Sequence, residues 1–259
     1  MTARVAVVTG ASRGVGRGVA TELASCGAMV YATGRTILSA DLPSQVRRVP
    51  CDHTDDDAVM GVFGRIREEQ GKLDVLVNNA WGGYENMVED GEFTWPAPFW
   101  QQPRWRWQAM MGAGVRALFV ASQEAARLMV PARSGLIVNL SYWSAQKYLG
   151  NAIYGAAKAA TDKLTADMAL ELREYQVAVV SLYPGLVRTE AVLAAGDALD
   201  LSNSESPEFI GRAVWALVGE GAALMRQTGQ VIVAAALGRE LGFVDIDGSA
   251  PRPLGLEDA

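Results

Sequence analysis

Tyr154 and Lys158 stand four residues apart in Tyr154-Gly155-Ala156-Ala157-Lys158. On a helix this spacing puts both side chains on one face. A neighbouring ammonium favours the phenolate and draws a tyrosine pKa down from its ordinary value of about 10. Such a pair suits proton donation to a carbonyl oxygen, or proton removal from an alcohol. The same pair on an exposed helix is an ordinary surface contact, so its surroundings decide. Upstream, Ser141 closes the apolar run Ile137-Val138-Asn139-Leu140, where a parallel sheet turns its ligand-facing edge. Ser144 follows closely and is the alternative hydroxyl.

A second group fits a phosphate-bearing ligand. Thr9-Gly10-Ala11-Ser12-Arg13-Gly14-Val15-Gly16 lies between apolar Val5-Ala6-Val7-Val8 and the helically spaced Val15, Val19, Leu23 and Ala24. Gly10, Gly14 and Gly16 let the backbone turn tightly beside a pyrophosphate, which a helix N-terminus attracts. Ser12, Arg13 and Val15 belong to the same turn. A ligand-free glycine turn has similar letters, but the strand–turn–helix context favours a dinucleotide. An NAD site carries an acid at the end of the second strand; this chain has Thr33-Gly34-Arg35-Thr36. Arg35, joined by Arg13, is placed to pair with a 2′-phosphate, so NADP(H) is expected over NAD(H). Two solvent-exposed arginines are the plainer reading. Asp52, after the third strand, suits the adenine amino group or a turn equally well.

These residues need a scaffold that alternates strands with helices. Val5–Val8, Ala28–Ala32, Gln45–Val49, Leu73–Asn78, Gly135–Leu140, Val177–Leu182 and Gln230–Val233 read as strands. Helices are expected from Val59, Val62, Phe63 and Ile66, over about 107–130 ending at Pro131, over 151–175 and over about 207–219. Continuous apolar strands in strict alternation with helices imply a parallel sheet covered on both faces. The expected fold is α/β and doubly wound, with about seven strands in one domain over 1–259.

The glycine loop, Asn78-Asn79-Ala80, Ser141, the Tyr154/Lys158 pair and Pro184-Gly185-Leu186-Val187-Arg188-Thr189 resemble, in order and spacing, the short-chain dehydrogenase/reductase family. The likeness runs over almost the whole chain, and residues 236–248 are similar to one branch of the family. The resemblance implies a single-domain Rossmann fold and hydride transfer between a nicotinamide and a carbonyl or alcohol carbon. It implies that Ser141 positions the substrate oxygen, that Tyr154 is the acid/base, and that Lys158 binds the nicotinamide ribose. By the same resemblance Asn78 and Ala80 line the cofactor, while Pro184, Gly185, Val187 and Thr189 border the nicotinamide. A homodimer or homotetramer, formed through the long helices, is also implied.

Three departures stand out. Trp81 replaces the glycine of the family's Asn-Asn-Ala-Gly, Tyr142 replaces a serine, and Gly114 stands where a helix asparagine is expected. That asparagine helps hold a water behind the lysine, so its loss raises the alternative of a cofactor-binding protein with little or no turnover, a sensor or scaffold. Glycine inside a helix suggests that a bulky neighbour, such as a tryptophan ring, needs the room. Trp81, Trp95, Trp100, Trp105 and Trp107, interleaved with Pro96, Pro98 and Pro103, make a stiff apolar loop over about 81–107. It reads as a lid or wall for a bulky apolar carbonyl substrate, or as a locally folded loop or subunit contact. A C-terminal extension begins at about 236.

Composition narrows the classes. With 23 Lys and Arg against 29 Asp and Glu the formal charge is −6, which disfavours a nucleic-acid partner. No apolar run is long enough for a transmembrane helix, and the first residues lead into a strand without the pattern of a signal peptide. Cys26, Cys51 and the lone His53 offer no metal-ligand or disulfide pattern. A cytoplasmic protein acting on a small carbonyl or alcohol is the expectation.

Overall fold

The computed structural model describes residues 3–196 and 199–258. In chain order it contains β1 (Val5–Val8), α1 (Gly14–Ser25), β2 (Met29–Gly34), β3 (Arg47–Pro50), α2 (Asp56–Gln70) and β4 (Val75–Asn78). A short hairpin follows, β5 (Val88–Glu89) and β6 (Glu92–Phe93), then α3 (Arg104–Trp107) and α4 (Ala117–Ala132). The second half holds β7 (Gly135–Leu140), α5 (Ala152–Leu172), β8 (Val177–Tyr183), β9 (Leu186–Val187), α6 (Glu190–Ala194), β10 (Ser204–Glu205), α7 (Pro207–Gly219), β11 (Val231–Val233) and α8 (Ala234–Leu241).

Seven strands form one parallel sheet in the order β11-β8-β7-β4-β1-β2-β3. Strand side chains alternate between faces, and β1 shows the consequence. Val5 and Val7 join Val59, Phe63, Ala121 and Met129 of α2 and α4 in one core. Ala6 and Val8 join Val19, Leu23, Phe209 and Val214 of α1 and α7 in the other. The fold is the expected doubly wound α/β sheet in one domain. Among the described residues, no helix is long and apolar enough to cross a membrane.

Some expected ends shift by one or two residues, as in β2 and β3, and α5 ends at Leu172, before a 3-10 turn over Arg173–Tyr175. Two larger departures stand beside these. The expected long helix starts at Arg104, runs as a π-helix over Gln108–Arg116, and continues as α4 one residue past Pro131. The wider π-turns hold Met110 and Gly114 inward. The tryptophan-rich loop folds around the β5–β6 hairpin and around Arg106, which has no exposed surface. That guanidinium donates to Thr94 O (3.1 Å) and Thr94 Oγ1 (2.8 Å), to Asn86 O (3.4 Å) and to Gln102. These four bonds from the two terminal nitrogens hold the loop to one shape, although Nε is buried without a partner among the described residues.

Candidate active site

Asn151 caps α5, its side-chain oxygen accepting from Ile153 N and Tyr154 N at 3.0 Å each. Its amide nitrogen donates to Trp95 O at 2.9 Å, so one residue starts the helix and anchors the aromatic loop to it. Tyr154 therefore stands in the first turn of α5, beneath that loop. Its ring meets Trp95 at 5.2 Å and Trp81 at 5.8 Å, both edge-on, and Tyr84 at 6.1 Å. The Tyr84 and Tyr154 hydroxyls share a hydrogen bond at 3.1 Å. Contrary to the lowering expected from Lys158, burial, reinforced by Tyr84, pushes the Tyr154 phenol well above its ordinary pKa. The loop thus divides: Trp81, Tyr84 and Trp95 surround Tyr154, while Phe99, Trp100 and Trp107 face outward.

Lys158 follows one turn on. Its Nζ donates to Leu140 O at 2.9 Å and lies 4.5 Å from the Trp81 ring centroid, within cation–π reach. Burial draws its pKa down to about 8, opposed by Asp162. The Trp81 indole also fills the space over Gly114, where a Cβ would come within 2.5 Å of Cζ3. The room that the helix glycine leaves is taken by the ring that replaces the loop glycine.

The two serines part company. Ser141 Oγ donates to Lys158 O at 3.4 Å. Ser144 Oγ is buried without a well-formed hydrogen bond among the described residues, and it favours the Tyr154 phenolate as a nearby donor does. Gly155 allows this approach, because a Cβ there would stand 3.1 Å from Ser144 O.

The glycine loop lies at the same sheet edge. Gly10, at φ +65°, passes so close to Ala80 that a Cβ would meet its Cα at 2.7 Å. Thr9 Oγ1 accepts from Ala80 N at 3.0 Å, and Asn79 Nδ2 donates to Gly10 O at 2.9 Å. Asn78 is turned the other way, its amide donating to Ser122 Oγ (2.9 Å) and Asn139 Oδ1 (2.8 Å) inside the sheet–helix layer. Asn79 is the member of that pair that braces the loop. Ser12 packs on Gly34, and Val15, in the first turn of α1, packs against the core. No side chain caps α1 and its first turn carries no acid; instead Gly14 N donates to Glu190 Oε2 at 2.9 Å, with Arg17 on the other oxygen at 2.8 Å. Arg13 and Arg35 converge on Glu85 Oε1, at 3.5 and 2.5 Å. Asp52 accepts from Thr54 N (2.9 Å) and Thr54 Oγ1 (2.7 Å), which holds its carboxyl below the usual range.

On the far side, Gly185 N donates to the buried Glu205 Oε2 at 2.7 Å. β9 pairs with β10 through Val187 and Glu205. Burial, with Asp245 nearby, pushes the Glu205 carboxyl up to about 7, and Tyr142 feels its charge. Arg188 reaches Asp245 Oδ2 at 2.9 Å, and Asp245 also takes Ser206 N at 2.8 Å. Thr189 caps α6, leaving Pro184 and Thr189 on either side of these anchored residues. Glu85 and Glu205 carry no local motif, and only the folded chain brings them to the site.

The model of the short chain dehydrogenase family matches residues 4–199. Dehydrogenase/reductase SDR family member 1 of Mus musculus is 40% identical over 270 aligned positions, covering 96% of this chain and 85% of that protein. Its Homo sapiens counterpart is 38% identical over the same shares. A crystal structure of a short-chain type dehydrogenase/reductase from Mycobacterium marinum superposes with a TM-score of 0.74 at 30% identity, covering 89% of this chain and 93% of that one. The match spans the glycine loop, both serines and the Tyr154/Lys158 helix within one sheet, and on that basis the chain belongs to the short-chain dehydrogenase family.

Proposed function

We propose that the protein is an NADP(H)-dependent oxidoreductase acting on the carbonyl or alcohol carbon of an apolar small molecule. The residues at the sheet edge suit such a cofactor. Gly10 and Gly16 leave backbone space that a Cβ would fill, and the Glu190 carboxylate on Gly14 N is an anion at the α1 N-terminus. Ser12, Gly14 and Val15 would face the pyrophosphate, Arg13 and Arg35 the 2′-phosphate, and Ala80, Pro184, Gly185, Val187 and Thr189 the nicotinamide half. The nicotinamide, when bound, supplies or accepts the hydride.

The observation that carries the reading is the sheltered Tyr154 hydroxyl with Lys158 one turn away. Burial keeps the phenol protonated at neutral pH, which is the state that gives a proton to a carbonyl oxygen as its carbon gains hydride. Lys158, close to half-protonated near pH 8, supplies the positive charge that stabilises the resulting phenolate. Ser144 offers the unengaged hydroxyl for the substrate oxygen, and Ser141 holds Lys158 by its carbonyl. Trp81, Tyr84 and Trp95 make an apolar wall suited to a bulky substrate. A sensor without turnover is less well supported, because Trp81 closes the gap left at Gly114 and keeps Lys158 at the site. A homodimer or homotetramer in the cytoplasm is the setting that the family resemblance supplies.

The experiment is NADPH consumption against a panel of aldehydes and ketones, with Tyr154→Phe as control. The variant is expected to lose about 10²–10⁴-fold in turnover while its NADPH affinity, measured by calorimetry, is kept. Wild-type turnover in Tyr154→Phe would overturn the assignment.

A further inference from the structure

Glu85 brings together two ends of the site. Its Oε1 stands between Arg35 Nη2 (2.5 Å) and Arg13 Nη2 (3.5 Å), the guanidinium groups read above as the 2′-phosphate clamp. The preceding residue, Tyr84, has its hydroxyl on that of Tyr154. One dipeptide therefore fills the clamp and covers the proton donor.

We infer that Glu85 is a built-in competitor of the cofactor's 2′-phosphate, so that cofactor choice controls access to Tyr154; the inference rests on the NADP(H) reading. A 2′-phosphate carries a larger charge than a carboxylate and offers three acceptor oxygens, so it displaces Glu85 from the two arginines. All three side chains are partly exposed, which makes the existing ion pairs weak enough to exchange. The arc that carries Glu85 is short. Trp81 is wedged over Gly114 on one side, and Asn86 O is held by buried Arg106 on the other. Only Gly82, Gly83, Tyr84 and Glu85 lie between these anchors, and the two glycines allow the arc to hinge. Repulsion between the phosphate and Glu85 moves the arc and withdraws Tyr84 from Tyr154. NAD(H), which has no 2′-phosphate, leaves Glu85 in the clamp and Tyr84 in place. Glu190 on Gly14 N and Arg17 is a second carboxylate in a phosphate-binding position, so the exchange of carboxylate for phosphate is repeated at the glycine loop.

The test uses adenosine 2′,5′-bisphosphate and adenosine 5′-monophosphate, fragments too short to touch Tyr154. Calorimetry on the full chain should show that Glu85→Gln binds the bisphosphate about two- to ten-fold more tightly than wild type, as expected for losing one or two exposed ion pairs, with the monophosphate unchanged. Hydrogen exchange over residues 82–87 should speed up in wild type with the bisphosphate only, and should already be fast in Glu85→Gln without ligand. Equal gains for both fragments, or exchange that ignores the bisphosphate, would overturn the inference. The cofactor reading fails separately: wild type would then show no preference for the bisphosphate, Arg35→Ala would lose none, and the inference would fall with it.

Discussion

The indole of Trp81 lies over Gly114, so close that a Cβ on residue 114 would meet Cζ3 at 2.5 Å and Cε3 at 2.7 Å. The two departures from the family pattern are one packing solution, and Lys158 Nζ sits on the same ring. The indole N–H has no acceptor among the described residues, a cost that the cation on its face offsets. Gly114→Asn alone should therefore destabilise the protein by about 1–3 kcal/mol through overpacking. Trp81→Gly with Gly114→Asn should recover much of that loss, with a coupling of about 0.5–3 kcal/mol. Denaturant melts of the four proteins check it, and purely additive effects would mean that the two sites do not share the space.

The serines give a second test. Ser144→Ala should lower turnover more than Ser141→Ala, because the Ser144 hydroxyl lies beside Tyr154 while Ser141 Oγ donates to Lys158 O. Losing a transition-state donor costs about 10²–10³-fold. Steady-state rates of both variants on one substrate decide, and a larger loss at Ser141 would return the oxygen-positioning role to it.

Glu205 should leave a signature in stability against pH. Its folded carboxyl keeps its proton up to about 7, whereas its ordinary value is 4.5. Between those values the folded chain binds more protons than the unfolded one, so Glu205 makes stability fall as pH rises through this window, the loss being complete above pH 7. Glu205→Gln can still accept from Gly185 N and has no charge to bury. Its melting temperature should match wild type at pH 4.5 and exceed it by a few degrees at pH 8. Identical shifts at both pH values would rule out the buried acid as the cause.

Within the aromatic loop, Trp95 and Trp100 should behave differently. Trp95→Ala opens the wall beside Tyr154 and should raise KM for bulky substrates more than for small ones. Trp100→Ala should leave both unchanged, since Trp100 is 71% exposed. A matched loss of activity in both variants would point to a general weakening of the loop.

Most of the sheet was legible because its inner strands are apolar runs, whereas the edge strand β3, Arg47-Arg48-Val49-Pro50, is not one and lies two residues on from its expected start. β7 and α7 were readable to the residue, Gly135 opening the first and Ser206 with Pro207 starting the second. The β5–β6 hairpin had a signal that went unread among the tryptophans. Asp90-Gly91, both with positive φ, is a two-residue hairpin turn. The π-helix over 108–116 has no comparable signature, because it depends on how Met110 and Gly114 meet Trp81 and α5. Tyr154 and Lys158 were readable from spacing, since a helix alone sets their shared face. The proposed preference for Ser144 over Ser141 rests on the hydrogen bond from Ser141 to Lys158 O, which the sequence does not carry. Glu85 and Glu205 needed contacts across 50 and 20 residues of sequence, to Arg35 and to Gly185.

Asp245 ties Arg188 and Ser206 together, 57 and 39 residues behind it in the chain. During synthesis, β1 to β8 and the helices between them leave the ribosome before this carboxylate does, and chains start to fold as they emerge. The β9–β10 loop is thus among the last parts to be fastened, after the sheet has its strands up to β8. A nascent chain stalled before residue 245 would hold a nearly complete scaffold with the Arg188 guanidinium still lacking this partner.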